Sequence, residues 1–335
     1  MSDTLKELQL ESTLGGIGHE QERDIPVIDL SDFDARREEI KKSLWQAASE
    51  VGFFQLVNHG IATPKIRQAF TLAEAFFSLP SDVKSRFSLK QGKNAGWEFK
   101  SQVRPSTQTA DQKESYQITL PHMEGLWPNQ TTLAEFQRVM LDFEYQVWQL
   151  GMRVLSCVAE QMGFEKDFFT RAHDRSTPEY QSTLRLLHYL PLSPEALSDA
   201  SLWRAGAHTD FDCLTMVFQR EGQGGLQVCP GQEVGDGKGP AWTSVTPRDD
   251  IITCNIGDML MRWSDDALRS TLHRVRMPTP EEAGTPRYSM AFFCQANQNI
   301  TIQGPAGKYP PITAHDYLQQ RISANFNAVK QAQAK

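Results

Sequence analysis

The segments Ala207-His208-Thr209-Asp210-Phe211 and Leu272-His273-Arg274-Val275 bring two imidazoles and one carboxylate into a single β-rich stretch, with His273 sixty-three residues after Asp210. Nitrogen and oxygen donors of this kind suit a redox-active divalent iron, because two imidazoles and a carboxylate on one face of an octahedron leave three positions open. Side chains i and i+2 of a strand point the same way, so the His-x-Asp spacing lets His208 and Asp210 reach one ion. Alone the pattern is weak. The chain holds eight His, and a zinc hydrolase can use the same donors.

A second pair, Arg287 and Ser289, repeats the two-residue spacing inside another β-rich run. A guanidinium beside a hydroxyl forms a site for a small carboxylate. Arg287 follows His273 by fourteen positions, room for one strand, a turn and a return, so the two are expected on adjacent strands. A zinc hydrolase would leave this pair idle, and a metal-free interaction module would use neither cluster. Parity extends the set: Arg185 and Tyr189 share a face of one run, and Phe293 shares the face of Arg287 and Ser289. Phe211, beside Asp210, and Trp97, following Gly96 as a candidate lid in a long polar connection, complete the substrate-pocket candidates. Arg185 is the preferred polar anchor for a substrate carbonyl, phenol or carboxylate.

The elements that must position these groups follow from patterning. After Ser182, short runs rich in β-branched and aromatic residues recur between Gly, Pro and Asp clusters: 183–189, 215–219, 226–229, 251–255, 260–263, 271–275 and 287–294. That density predicts a sandwich or jelly roll. Before it, helical stripes predict helices over 35–51, from Pro64 onward, and over 132–163, where Phe136, Val139, Met140, Phe143, Val147, Leu150, Val154 and Val158 lie on one face. Leu318, Ile322, Phe326 and Val329 predict a closing helix with Thr313 as its N-cap. The organisation expected is a mobile leader at 1–23, an N-terminal α/β region at 24–120, supporting helices at 121–180, a catalytic β core at 181–304 and a C-terminal helix at 305–335.

Composition bounds the partners. Among 335 residues, 34 Lys and Arg stand against 41 Asp and Glu, a formal charge of −7 without long blocks of one sign. This argues against a nucleic-acid binder or a membrane-surface protein. No apolar run reaches membrane-spanning length, and the opening MSDTLKELQLESTLGG lacks the basic start and apolar run of a secretory signal. A cytoplasmic location is expected, with the five Cys, odd in number and without a C-x-x-C pair, as reduced buried thiols.

Nine motifs together resemble one family: IPVIDL at 25–30, GFFQLVNHGI at 52–61, FFSLP at 76–80, KESYQI at 113–118, LRLLHYLP at 184–191, AHTDFDCLTMVFQ at 207–219, GGLQV at 224–228, NIGDMLMRWSDDALRSTLHRV at 255–275 and PRYSMAFF at 286–293. The sequence is similar to the iron(II)- and 2-oxoglutarate-dependent dioxygenases, in the branch containing isopenicillin N synthase, plant flavonoid and gibberellin oxidases and fungal thymine hydroxylase. The resemblance covers about residues 24–327 and is strongest to the fungal members. It implies an α+β fold with a double-stranded β-helix (jelly-roll) core, an N-terminal α/β region and flanking helices. It implies that His208, Asp210 and His273 hold Fe(II), that Arg287 and Ser289 bind the distal carboxylate of 2-oxoglutarate, and that Tyr189 contacts this cosubstrate. The expected reaction uses O2 to oxidise a C–H bond, most simply by hydroxylating a small aromatic, heterocyclic or specialised-metabolite substrate, with release of succinate and CO2. Desaturation, ring expansion, cyclisation or a 2-oxoglutarate-independent oxidation stay open, as do the substrate and the oligomeric state. The chain departs from the pattern at Leu187, where many relatives have Asn, and at Leu190, where they have Pro, so one polar contact to the cosubstrate is expected to be missing or replaced.

Overall fold

The computed structural model describes residues 18–104, 107, 109–199, 201–229 and 241–333, with side chains described for all but 326 and 328–333. Most of the expected leader, and the Phe326 and Val329 side chains of the closing stripe, lie outside the described residues. The strands are β1 (His19–Glu20), β2 (Val27–Asp29), β3 (Phe53–Val57), β4 (Gly96–Phe99), β5 (Lys113–Ile118), β6 (Thr183–Tyr189), β7 (Ala205–His208), β8 (Leu214–Gln219), β9 (Leu226–Val228), β10 (Ala241–Ser244), β11 (Ile252–Ile256), β12 (His273–Val275), β13 (Arg287–Cys294), β14 (Thr301–Ile302) and β15 (Ile312–Thr313). They form an eight-stranded sheet in the order β2-β3-β11-β8-β13-β6-β5-β4, a five-stranded sheet in the order β1-β10-β9-β12-β7, and a β14-β15 pair. Leu187, Tyr189 and Ala291 of the large sheet pack with Ala205 and Val275 of the small one, so the two sheets face each other. Sheets facing across a shared interior, with helices on the outer face of the larger, make the α+β jelly-roll architecture the sequence patterning leads one to expect.

Alternation divides the large sheet. Tyr288, Met290 and Phe292 of β13 stand opposite His188, Leu186 and Leu184 of β6. The buried Met290, Phe292, Leu184 and Leu186 belong to the main core together with Phe143, Val147, Leu150 and Val154. These last four come from α3 (Phe136–Gln161), the third principal helix after α1 (Arg37–Glu50) and α2 (Thr63–Phe77). Its buried stripe contains the residues the 3.6-residue period singled out from Phe136 to Val158, and Met162, which the same period picks out, caps the helix C-terminus and is also buried. Gly151 lets α3 approach the sheet, since a Cβ there would come within 2.7 Å of Cys294 Sγ and 3.0 Å of Met216 Cε. The other face of β13 carries Arg287, Ser289, Ala291 and Phe293 toward the space between the sheets, opposite Tyr189, Leu187, Arg185 and Thr183.

Three expectations need correction. Residues 258–263 form a helix, α4 (Asp258–Trp263), where the apolar run suggested a strand. Short apolar runs do not distinguish the two by period; Met and Leu favour helix, and Gly257 enters extended at φ −96°, ψ 171° before Asp258 opens the first turn. β12 and β13 lie in different sheets rather than side by side. Regular pairing also begins before Ile25, because His19 and Glu20 run parallel to Ala241 and Trp242.

The chain closes with α5 (Ala314–Gln333), where the Asp316 N–H donates to the Thr313 hydroxyl at 3.0 Å, the expected cap. From α5 the fully buried Arg321 reaches Asp258 of α4 at 2.5 Å and donates to the Thr209 hydroxyl at 3.3 Å. Thr209 in turn donates to Asp258 at 3.0 Å. Breaking a buried ion pair by removing one partner costs about 3–5 kcal/mol. Arg321→Met should therefore lower unfolding free energy by about that amount in urea titration, whereas loss below about 1 kcal/mol would show the pair to be solvated.

Candidate active site

His208 is the last residue of β7 and His273 the first of β12, and the two are direct cross-strand partners. Their ring centroids lie 4.3 Å apart. Asp210 lies two residues beyond the end of β7, so strand parity is not what aims it. It is aimed by the turn after His208, which α4 grips from the other side: Asp258 N–H donates to Asp210 O at 2.8 Å, Met259 N–H to Asp212 O at 3.1 Å and Gly257 N–H to Cys213 O at 3.2 Å. Asp210 Oδ1 comes to 3.8 Å from His208 Nε2, and Oδ2 to 3.6 Å from His273 Nε2. One donor atom from each residue falls within 4.8 Å of the others, and the three side chains are only 10–13% exposed.

Each imidazole has its Nδ1 against a backbone carbonyl, Gly206 O at 2.7 Å for His208 and Thr271 O at 3.3 Å for His273. A carbonyl only accepts, so the proton sits on Nδ1 and the Nε2 lone pair is directed at the shared space. Burial, followed by the Arg104 guanidinium and His273, holds His208 well below the usual imidazole range, so it is neutral. Two imidazoles and a carboxylate with converging lone pairs fit a divalent iron. Burial, with Asp210 close by, pushes the neighbouring Asp212 carboxyl well above the usual range.

On the large sheet, Arg287 donates through Nε to Gln223 O at 3.1 Å and Gly224 O at 2.8 Å, and through Nη1 to Ser289 Oγ at 3.4 Å. Its guanidinium lies 4.7 Å over the Tyr189 ring. Leu187 stands opposite Ser289 and packs with Tyr189, Ala205, Val275 and Ala291, so an apolar side chain fills this position. The Arg185 guanidinium lies 5.0 Å over the Phe293 ring, and unbroken pairing from Arg287 to Phe293 keeps the parity on which both depended. Arg185 donates through Nη2 to Gln117 Oε1 at 2.7 Å and Asn94 Oδ1 at 3.3 Å, while its buried Nε has no partner among the described residues.

Two candidates go elsewhere. Trp97 stands opposite Tyr116, on the helix-facing side of the sheet, and its indole N–H donates to buried Glu114 at 2.6 Å; it is half-buried against the main core, on the side of the sheet away from the site. Phe211 has the Arg321 guanidinium 4.7 Å over its ring and packs toward α5. Among the residues missed are Glu98, Ser115 and Gln117, linked through the Glu98 carboxylate, and the Asp111 cluster. In that cluster Lys113 lies 2.8 Å and Arg104 3.4 Å from Asp111, which accepts from Gly206 N–H at 3.1 Å. The alternating polar residues Lys113, Ser115 and Gln117 of the KESYQI run carried the signal: every second residue faces the interior side.

The profile of the 2OG-Fe(II) oxygenase superfamily matches residues 180–296, and that of the non-haem dioxygenase in morphine synthesis N-terminal region matches residues 25–133. The proline hydroxylase buaE of Petromyces alliaceus is 31% identical over 321 residues, covering 89% of this chain and 97% of that protein. The chain belongs to the 2OG-Fe(II) oxygenase superfamily. Among solved structures, the full-length thymine hydroxylase of Neurospora crassa in complex with alpha-KG and thymine superposes on this oxygenase with a TM-score of 0.77 at 30% identity, covering 90% of this chain and 96% of that one. A 2OG-Fe(II) oxygenase family protein from Caulobacter crescentus gives 0.76 at 28% identity, covering 90% and 99%. The cofactor and cosubstrate of the oxygenase are thus Fe(II) and 2-oxoglutarate.

Gly257 offers a test of how the turn is held. Its backbone suits any residue, but a Cβ there would fall 2.2 Å from Asp212 O and 2.4 Å from Asp212 Oδ1. Gly257→Ala must displace the turn that carries Asp210. Titration with Mn(II) should show weakened metal binding, and native affinity with native stability would mean the turn yields freely.

Proposed function

We propose that His208, Asp210 and His273 hold the iron, that Arg287, Ser289 and Tyr189 hold the distal carboxylate of 2-oxoglutarate, and that the oxygenase hydroxylates one C–H bond of a small aromatic or heterocyclic molecule. The observation that carries the ligand assignment is the convergence of two imidazoles and one carboxylate within 4.8 Å in a buried space. Iron(II) with 2-oxoglutarate and O2 supplies the oxidising power, and succinate and CO2 leave. The chain's own residues do the positioning. Carbonyl-anchored Nδ1–H groups present the imidazole lone pairs, and the Gln223 and Gly224 carbonyls hold the Arg287 side chain beside Ser289. Arg185 offers donors and Phe293 an aromatic face to a flat substrate. The names of the relatives support small molecules as the substrate class, namely a proline hydroxylase and a thymine complex. No described helix is long and apolar enough to cross a membrane. With five buried, unpaired Cys and a charge of −7, we read the location as cytoplasmic, without nucleic-acid or membrane partners.

Substituting any one of His208, Asp210 or His273 by Ala should abolish substrate-coupled succinate formation; near-native turnover by His273→Ala would overturn the ligand set. Arg287→Ala should raise the apparent KM for 2-oxoglutarate roughly ten- to a hundredfold, the effect of losing a charge-assisted contact, and turnover unchanged without 2-oxoglutarate would favour an oxidase that does not use it.

For the substrate, Arg185→Leu should collapse substrate-triggered turnover while the anaerobic visible band of the iron and 2-oxoglutarate complex persists. Phe293→Ala should release succinate without matching product. Loss of the band in Arg185→Leu, or intact product formation, would remove Arg185 from the substrate site.

A further inference from the structure

Asp210 has two carboxylate oxygens, and the protein treats them differently. Thr215 of β8 and Asn255 of β11 are direct cross-strand partners, both almost wholly buried. Thr215 Oγ1 donates to Asp210 Oδ2 at 2.7 Å, and Asn255 Nδ2 donates to the same oxygen at 2.8 Å. Thr215 Oγ1 also lies 3.0 and 3.2 Å from the two Asp212 oxygens, but a hydroxyl has one proton and the Asp210 contact is the shortest. A carboxylate oxygen has two lone-pair sites, so two donors on Oδ2 occupy both. Oδ2 lies 3.6 Å from His273 Nε2 and Oδ1 3.8 Å from His208 Nε2, so distance alone does not separate the two oxygens, but among the described residues no side-chain donor is directed at Oδ1.

We propose that Thr215 and Asn255 are positioning residues that reserve Oδ2 for hydrogen bonding and make Asp210 a one-oxygen ligand through Oδ1. This rests on the ligand assignment of the proposed function. The consequence concerns coordination number. Two imidazoles and one carboxylate oxygen would leave three of six octahedral positions for other ligands. A carboxylate gripping through both oxygens would leave two. The hydroxyl and the amide would thereby protect the third position, and they act from buried strands of the large sheet rather than from the turn that carries Asp210.

The test uses the full chain and three variants. Thr215→Val keeps shape and removes the hydroxyl, Asn255→Leu removes the amide, and Thr215→Ser keeps the donor. Mn(II) affinity is read from the electron paramagnetic resonance of free Mn(II), and the anaerobic visible band is read with Fe(II) and 2-oxoglutarate, with circular dichroism verifying the fold. Loss of a partner to a metal ligand weakens binding roughly ten- to a hundredfold. Thr215→Val and Asn255→Leu should each show that loss together with a weakened or shifted band, and Thr215→Ser should restore both. Native Mn(II) affinity and a native band in folded Thr215→Val or Asn255→Leu would overturn the proposal, as would a Thr215→Ser variant as impaired as Thr215→Val. Should the unaltered protein bind Mn(II) yet form no band with 2-oxoglutarate, the proposed function fails while the Mn(II) comparison still decides the role of Thr215 and Asn255.

Discussion

The pairing of β7 with β12 is the constraint on which the rest depends. It sets His208 opposite His273 and brings two imidazole rings to 4.3 Å, a contact that would be repulsive if both were charged. Burial and the nearby Arg104 guanidinium keep His208 neutral. The carbonyls of Gly206 and Thr271 fix where the protons sit. The small sheet thus presents a preformed pair of lone pairs, and the turn after β7 has only to deliver Asp210 between them.

Delivering Asp210 is a separate task, given to elements outside the small sheet. α4 binds the backbone of the turn, α5 sends Arg321 in behind Thr209, and two strands of the large sheet hold the carboxylate itself. The large sheet also organises its inner face in rows. Arg287 and Tyr189 stand beside Lys113, Ser289 and Leu187 beside Ser115, and Ala291 and Arg185 beside Gln117. The residues proposed for the cosubstrate and those proposed for the substrate therefore occupy different levels of the same four-residue alternation, which a bulge in β13 would have scrambled.

Much of this was legible because the chemistry-bearing types are sparse and the period of a strand is two. Arg287, Ser289 and Phe293 lie on one continuous strand, so their common face could be read directly from spacing. His208 and Asp210 were grouped correctly for an incomplete reason: the strand stops at His208, and the turn does what parity was expected to do. Trp97 was expected in a loop, but residues 96–99 form β4, whose Gly96 and Glu98 take the inner-facing parity while the indole faces the helices. Thr215 and Asn255 were silent because their role depends on pairing between strands far apart in sequence, and hydrogen-bond partners of that kind have no local period. The Leu260–Trp263 run failed as a strand for the reason any short apolar run can fail: four residues are too few to show a period.

The contact between Arg321 and Thr209 spans 112 positions of the chain. During synthesis from the N-terminal end, the His208 to Asp210 turn leaves the ribosome well before the guanidinium that will lie behind it. His273 and the α4 residues that bind the turn also precede Arg321, so a nascent chain holds all three proposed iron ligands before the guanidinium behind Thr209 is made. The contact behind Thr209 therefore waits on α5, which must dock before Arg321 can complete it.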